Sequence, residues 1–311
     1  MVEREGPHNP GFQIAYGAMC DVESHPYDEK AMLFMDYRTD WAKDEEDQRQ
    51  LDRYPTFMYA MPFGESPAGK GRRRIFFEET SLVARPPFPI DECKRRFSQR
   101  LEHLGVKVHD IVEEELCYIP MGGSLPVSTQ RVVACGGAGG GVHPATGYML
   151  CRMLASSHLV ASALGPKLVA GESPSVAAAA AYEALWGGEV RLQRDFGDFG
   201  GEFLMVQDVA TLRGFFGGFF ALPERTWSGF LAGWPGLPNN DAHETWARRL
   251  LFGVGLFLRV PWVVKLELAV GAAMLGGKPF IRSVTPFFRD AEAADAPRGD
   301  AAGAGQGAEG A

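Results

Sequence analysis

The first part of the chain alternates apolar and polar residues in short runs, which is the pattern of β-strands rather than of helices. The charged segment 39–53 separates the second run from the third and is predicted to form a surface loop or a short helix. The loop 64–71 joins the last two runs and predicts a hairpin. The pattern therefore predicts four short, mostly antiparallel strands at residues 11–23, 30–38, 56–63 and 74–83.

The next part of the chain mixes helix and strand signals. Residues 91–104 predict a helix capped by Asp91, and residues 106–120 predict a further strand. Residues 131–135 predict a short buried strand, which leads through the glycine run 136–141 into a helix from Val142 to about Leu164. A strand, a glycine-rich turn and a helix in this order can present backbone N–H groups to an anionic or electron-rich ligand. An ordinary tight turn is the alternative.

From Ala177 onward the sequence predicts helices, with apolar residues concentrated at 203–220 and 250–276. Residues 242–289 carry seven Lys and Arg against two Glu, in a chain whose net charge is −8. Basic, aromatic, amphipathic helices can lie on an anionic membrane surface. The alternative is the core of a helical bundle whose cations reach the solvent. The low-complexity residues 290–311 are expected to be disordered.

Composition narrows the classes of function. The 311 residues include 46% hydrophobic residues, which supports a large core, and the negative net charge argues against nucleic acid as a partner. Five scattered cysteines without a Cys-x-x-Cys indicate a reducing compartment. The sequence contains no run of about 18 apolar residues, so no membrane-spanning helix is predicted. The sequence also shows no signal or transit peptide. No metal site is predicted.

Two adjacent carboxylates, Glu78 and Glu79, stand inside an apolar strand. Side chains alternate between the two faces of a strand, so these two glutamates must face opposite ways. The carboxyl on a buried face has a raised pKa and can serve as a proton donor near neutral pH. The alternative is a half-buried strand with one solvated and one salt-bridged glutamate.

Four segments in this order resemble the plant-type lycopene cyclases: 12–17 with 34–38, 55–62, 76–82, and 119–126 with 142–148. A weaker similarity continues to about residue 289. Residues 81–86, 121–127 and 130–133 resemble the β-cyclase branch, whereas Phe77 and Ala145 lean toward the ε-cyclase branch. The capsanthin and neoxanthin synthase paralogues share the same segments.

The resemblance implies an α+β or α/β fold of the flavoprotein hydroxylase type. We expect a substrate-domain sheet and helix at 1–127, a returning FAD-domain strand and helix at 128–176, a membrane-facing helical region at 177–289 and a disordered tail at 290–311. The family's dinucleotide-binding βαβ unit has no counterpart in this sequence, which begins at a segment from the family's middle. We therefore expect a fragment, or a chain that lost its FAD half. The family's plastid transit peptide would lie in the same missing part.

The resemblance also implies the chemistry. The family protonates a terminal double bond of lycopene and closes a ring, using reduced FAD without net redox and NAD(P)H as reductant. Glu78 matches the family's proposed acid and Glu79 is its neighbour. The expected flavin-contacting residues are Gly136, Gly137, Gly139, His143, Pro144, Thr146 and Gly147. A carotenoid tunnel is expected to be lined by Tyr16, Phe57, Tyr59 and Phe76, although each could instead be plain sheet core.

Three functions follow as hypotheses. The first is a lycopene β-cyclase, with an ε-cyclase or a related paralogue as its alternative, that acts in plastids at a membrane surface and alongside other carotenoid enzymes. The second is a flavin-dependent oxidoreductase that acts on a lipid. The third is an inactive membrane-associated fragment.

Overall fold

A five-stranded antiparallel sheet organises the first part of the protein. The computed structural model describes residues 2–69, 71–232 and 243–287. The strands lie side by side in the order β2-β3-β4-β1-β5, with all neighbours antiparallel. The predicted strands and the β3–β4 hairpin are confirmed, and the bounds are β1 Gly11–Val22, β2 Leu33–Asp36, β3 Thr56–Glu65, β4 Arg73–Ser81 and β5 Val108–Met121.

One face of the sheet packs against helix α2 (Ile90–His103). Cys93, Phe97 and Leu101 recur every four residues, so they share one side of the helix and bury it against β1 and β4. The predicted cap at Asp91 is wrong, because the helix begins after Pro89 without a side-chain cap. The charged segment 39–53 contains a short helix, α1 (Glu45–Arg53).

From Leu150 to Val284 the described chain is mainly helical, and the helices predicted from Ala177 onward are confirmed. Phe57 and Leu82 on the second sheet face join one core cluster with Phe203, Leu212 and Phe219 from the helices. This cluster therefore holds the helices onto the sheet. The helices are α3 Leu150–Val169, α4 Pro174–Trp186, α5 Gly188–Met205, α6 Val209–Phe220, α7 Glu224–Ala232, α8 Trp246–Arg259, α9 Trp262–Met274 and α10 Gly277–Val284.

Two local predictions around the glycine run are wrong. Residues 131–135 form no strand, and Arg131 and Val132 are exposed rather than buried. The run itself forms a 3-10 turn, Gly136–Gly139. The following helix begins at Leu150 rather than Val142, because Gly147 has a φ of 74° and a right-handed helix cannot pass through that conformation. The predicted disordered tail, 290–311, lies outside the described residues.

Within residues 2–69, 71–232 and 243–287, no helix has both the length and the apolar character that crossing a bilayer requires.

Candidate active site

Glu79 lies on the face of β4 that packs against α2, and its carboxylate is fully enclosed there. Arg100 Nε donates to its Oε2 at 2.9 Å, and the Thr56 hydroxyl donates to its Oε1 at 2.5 Å. The Thr56 oxygen in turn accepts from Arg96 at 3.2 Å. Both charges of the Glu79–Arg100 pair are buried, at 0% and 2% exposure. Glu79 is therefore held as a structural ion pair.

Glu78 points to the opposite face and has different surroundings. Burial raises the pKa of its carboxyl, and the Glu115 charge adds to the rise. Glu78 on β4 and Glu115 on β5 both pair with Gly17 of β1, so only a glycine lies between them in the sheet. The Thr80 hydroxyl opposes the rise by donating to Glu78 Oε1 at 2.6 Å. Among the described groups that set this pKa, none is a cation.

Two tyrosines stand beside Glu78. Tyr59 is its direct partner on β3 in the strand register. The Tyr59 and Tyr148 phenols interact with each other, and burial raises the pKa of both. Both hydroxyls therefore stay protonated near neutral pH. The sequence did not single out Tyr148 as a site residue, although it ends one of the segments that carried the resemblance.

An aromatic cavity opens on the Glu78 side of the sheet. Tyr59 lines it, whereas Glu78, the neighbour of Tyr59 in the strand register, is not one of the lining residues. The cavity surrounds about 560 Å³ of space, part of it open to solvent. The run of phenylalanines was visible in the sequence, but its position over this sheet face was not. The helical side of the wall includes Leu204, Phe215, Phe216, Phe219, Phe220, Phe230 and Leu231.

The predicted tunnel residues divide between the two faces. Phe57 and Tyr59 line the cavity, and Phe76 shares their face but lies over Gly17. The prediction that Tyr16 lines the tunnel is wrong, because Tyr16 pairs with Glu79 in the strand register and so lies on the α2 face. Its ring packs edge-on against Phe97 at 4.9 Å, and its hydroxyl donates to Glu114 at 2.5 Å. Tyr16 therefore does not line the cavity.

The 143–147 segment is a tight turn clamped between β1 and α5. A Cβ added at Gly147 would lie 2.2 Å from Gln13 Oε1, and one added at Gly201 would lie 2.4 Å from the Pro144 carbonyl oxygen. His143 is buried, its Nδ1 accepts from the Ala145 N–H, and burial lowers its pKa. The turn uses the N–H groups of residues 143 and 145–148 in its own hydrogen bonds.

These contacts determine which side chains of the turn face the helices and which face the aromatic cavity. His143 and Pro144 point toward the helices, where His143 packs against Phe230 at 4.8 Å and Pro144 against Gly197. Ala145 and Thr146 are the members of the turn that line the aromatic cavity. The helix N-terminus predicted at this point is absent from the described chain. The flavin contact of the turn stays a prediction.

The glycine run borders a separate crevice. Gly136 and Gly139 line it together with Arg152 and Trp186, and the Arg152 guanidinium lies 5.5 Å from the Trp186 ring centre. Gly137 lies in the same 3-10 turn. Burial of Arg152 lowers its pKa to about 9. A cationic wall beside a glycine turn suits an anionic or electron-rich group.

A second polar group, which the sequence did not indicate, lies where α5 meets the loop after β5. Arg194 donates to the Gly123 carbonyl and to Asp198 Oδ2 at 2.6 Å. Burial raises the pKa of Asp198 to about 6. Asp198 Oδ1 and both amide atoms of Gln193 are buried without a hydrogen-bond partner among the described residues. A flavin edge, which presents both donors and acceptors, fits these unsatisfied atoms.

The fold and the site together describe an α+β protein with a sheltered carboxyl beside an aromatic cavity. Comparison with known proteins agrees with this description. Residues 1–240 match the family described as Lycopene cyclase protein. The chain therefore belongs to the lycopene cyclase family.

The curated relatives place the chain near the β-cyclase branch. It is 41% identical over 295 residues to lycopene beta cyclase of Capsicum annuum and, over the same length, to that of Solanum lycopersicum. Each match covers 94% of this chain and 55% of the relative. Capsanthin/capsorubin synthase of Citrus sinensis is also 41% identical, over 74% of this chain and 45% of its own. The chain thus spans about half the length of the curated relatives it matches.

Proposed function

We propose that this chain supplies the proton donor and part of the carotenoid site of a lycopene β-cyclase, which turns the ends of lycopene into β-rings. The observation that carries the proposal is Glu78, whose pKa is raised by burial beside an aromatic cavity. A carboxyl of this kind is protonated at a higher pH than an exposed one and can act as a general acid.

The proposed reaction is an isomerisation. The Glu78 carboxyl gives its proton to the terminal C=C of lycopene, which leaves a tertiary cation. The next C=C attacks this cation and closes the ring, and loss of one proton to a base forms the β-ring, so that no net proton is consumed. Aromatic faces such as Phe216 and Tyr59 would stabilise the cation, and the mainly apolar wall of the cavity would limit the access of water to it.

FAD is the cofactor we propose for this reaction, with NAD(P)H as its reductant. When bound in the reduced state, it would supply negative charge near the cation. The residues that would hold it are the glycine turn 136–139 with Arg152, the polar atoms of Gln193 and Asp198, and Thr146 at the cavity wall. The flavoprotein hydroxylase type of fold is part of the same proposal.

β-ring formation is favoured over the other products of this family. The β-cyclases match 94% of the chain, whereas the capsanthin/capsorubin and neoxanthin synthases match 74%. The lyase or isomerase class is supported by the absence of net oxidation in the proposed steps. A lipid oxidoreductase would instead consume NAD(P)H in proportion to its product, which a coupled assay separates from the catalytic use expected here.

We also propose that the protein acts in plastids at a membrane surface, where lycopene would be delivered and other carotenoid enzymes could meet it. The relatives carry chloroplastic or chromoplastic names. Large apolar side chains on α8 and α9 are exposed, among them Leu258 at 67% and Trp262 at 78%. The basic surface is smaller than its sequence implied, since Arg249 is buried and Arg282 pairs with Asp195 at 2.8 Å.

Vesicle co-sedimentation tests the membrane proposal. Trp262→Glu should reduce binding to anionic phospholipid vesicles, because it places a charge in the apolar face. Val169→Glu is the matched control, since Val169 is 90% exposed at the end of α3. Equal losses in both variants, or none in either, would contradict a membrane face formed by α8 and α9.

The acid is tested by Glu78→Gln. In a lycopene-accumulating host, the chain is expressed alone and together with the half of a β-cyclase relative that it does not match. Pigment analysis should show γ- or β-carotene with the unaltered sequence and at least about 100-fold less product with Glu78→Gln, a loss typical of a general acid. Glu113→Gln, an exposed glutamate on β5, should retain the product. Normal cyclisation by Glu78→Gln would overturn the assignment.

A further inference from the structure

A second, larger cavity lies among the helices, away from the sheet. Its walls come from the six helices α5 to α10, and it surrounds about 1060 Å³ of space, part of it open to solvent. The volume of this space that water can occupy is about 340 Å³, which lies at the lower end of the range of about 300–1,000 Å³ typical of ligand-binding cavities. Residues of the wall include Phe199, Phe252, Leu256, Leu268, Ala272 and Phe280.

The two cavities share part of their walls. Gly200, Phe215 and Phe230 line both of them. The glycine contributes no side chain to this boundary, and the two rings stand between the spaces. The aromatic cavity beside Tyr59 and the second cavity therefore adjoin each other across these three residues.

The second cavity is chemically suited to a hydrocarbon. Arg249 is the charged residue in its described wall, and its guanidinium donates to the carbonyl oxygens of Ser283 and His243 at 2.6 and 2.7 Å and to Glu189 at 3.1 Å. The remaining wall residues are aromatic, aliphatic or glycine. Burying a polar ligand there would cost free energy, because its donors and acceptors would lose water without gaining partners.

The outer side of this cavity reaches the apolar surface of α8. Leu250, Val254 and Phe257 belong to its wall and are 41%, 47% and 39% exposed. The space therefore leads from the surface proposed to face the membrane toward the sheet face that carries Glu78.

We propose that the second cavity binds the polyene chain of an acyclic carotenoid whose reacting end lies in the aromatic cavity. This proposal rests on the proposed function. Conjugation keeps a polyene extended and stiff, so the part beyond the reacting end cannot fold back and needs a straight continuation. The second cavity supplies that continuation, and Phe215 and Phe230 set the width through which the chain passes.

Gly253→Leu tests this by filling the cavity from α8. Gly253 lines it, and a Cβ added there meets no described atom within 4 Å, so the backbone at this position leaves room for a side chain. Gly217→Leu is the matched control, since Gly217 is also helical and open but lies exposed on α6, outside both walls. Leucine favours helix over glycine at both positions, so the two variants should fold equally well.

The measurement is lycopene binding to the purified chain, followed by induced circular dichroism of the polyene and by quenching of tryptophan fluorescence. We expect Gly253→Leu to weaken binding at least about tenfold, which corresponds to about 1.4 kcal/mol, and Gly217→Leu to leave it within about twofold. Ala272→Leu narrows the same cavity from α9 and should repeat the loss.

Unchanged lycopene binding in both Gly253→Leu and Ala272→Leu would overturn the inference. Equal weakening by Gly217→Leu would overturn it as well, because the effect would then not belong to the cavity. The assignment of Glu78 as the acid is tested independently of the cavity. Glu78→Gln should keep lycopene binding while losing cyclisation, whatever the cavity variants show.

Discussion

Glu78 and Glu79 are neighbours in the sequence but lie in two different electrostatic environments. Glu79 is enclosed by Arg100 and Thr56 under α2. Glu78, on the other face, lies beside Thr80 and Tyr59, and the groups that set its pKa include no cation among the described residues. One step along a strand thus separates a structural ion pair from a candidate acid. What a buried carboxyl can do depends on whether a cation was buried with it.

The ionic face should give the largest change in stability. Arg100→Met leaves the Glu79 carboxylate buried without its cation, so the free energy of unfolding should fall by about 3–5 kcal/mol. Urea unfolding followed by circular dichroism measures the loss. Arg95→Met on the same helix is the control, because its ion pairs with Glu92 and Asp47 are more exposed and should contribute only about 0–1 kcal/mol. Equal losses would contradict the structural role of the Glu79–Arg100 pair.

Thr56→Val should have the next largest effect. The substitution keeps the shape of the side chain but removes a hydroxyl that donates to Glu79 and accepts from Arg96. Leaving these buried charged groups short of a partner should cost about 1–3 kcal/mol in urea unfolding. A cost no greater than that of Thr80→Val would remove the distinction between the two faces.

Glu78→Gln should change the pH dependence of stability by a smaller amount. Because burial raises the pKa of Glu78, the folded protein holds this proton more tightly than the unfolded chain does. Stability from this group is therefore full below the ordinary carboxyl pKa and is lost as pH rises through the raised value. Glu78→Gln should not lose stability in this way. The free energy of unfolding of the variant, relative to that of the unaltered protein, should therefore rise with pH and then reach a plateau. An advantage that is the same at all pH values would contradict the raised pKa.

Thr80→Val should have the smallest effect on stability, about 0.5–1.5 kcal/mol, because it removes one hydrogen bond at a partly buried group. The informative result is the direction in which the pKa of Glu78 shifts. The Thr80 hydroxyl lowers this pKa, so loss of the hydroxyl should raise it further. Infrared titration of the carboxyl C=O band, with Glu78→Gln identifying the band, measures the shift. A downward shift would mean that Thr80 does not donate to Glu78.

The strands and the opposition of Glu78 to Glu79 could be predicted because strand alternation is a local property of the backbone. The family could be predicted because the short segments that carry the resemblance are read directly from the sequence. The turn at Gly147 was missed because apolar residues around it continue a helical pattern, while its left-handed backbone does not appear in that pattern. Tyr16 was misplaced because its face depends on its register with β4, not on its own strand.

The sequence by itself determined that two adjacent carboxylates point opposite ways and that aromatic residues are concentrated far along the chain. Only the tertiary structure decided which carboxylate received the cation, since Arg100 comes from a helix 21 residues away, and which face received the phenylalanines of α6 and α7. Long-range packing brings charges and rings together from separate elements, and no local periodicity records those distances. The same packing left Glu78 without a paired cation beside an apolar cavity, which is the physical basis of its raised pKa.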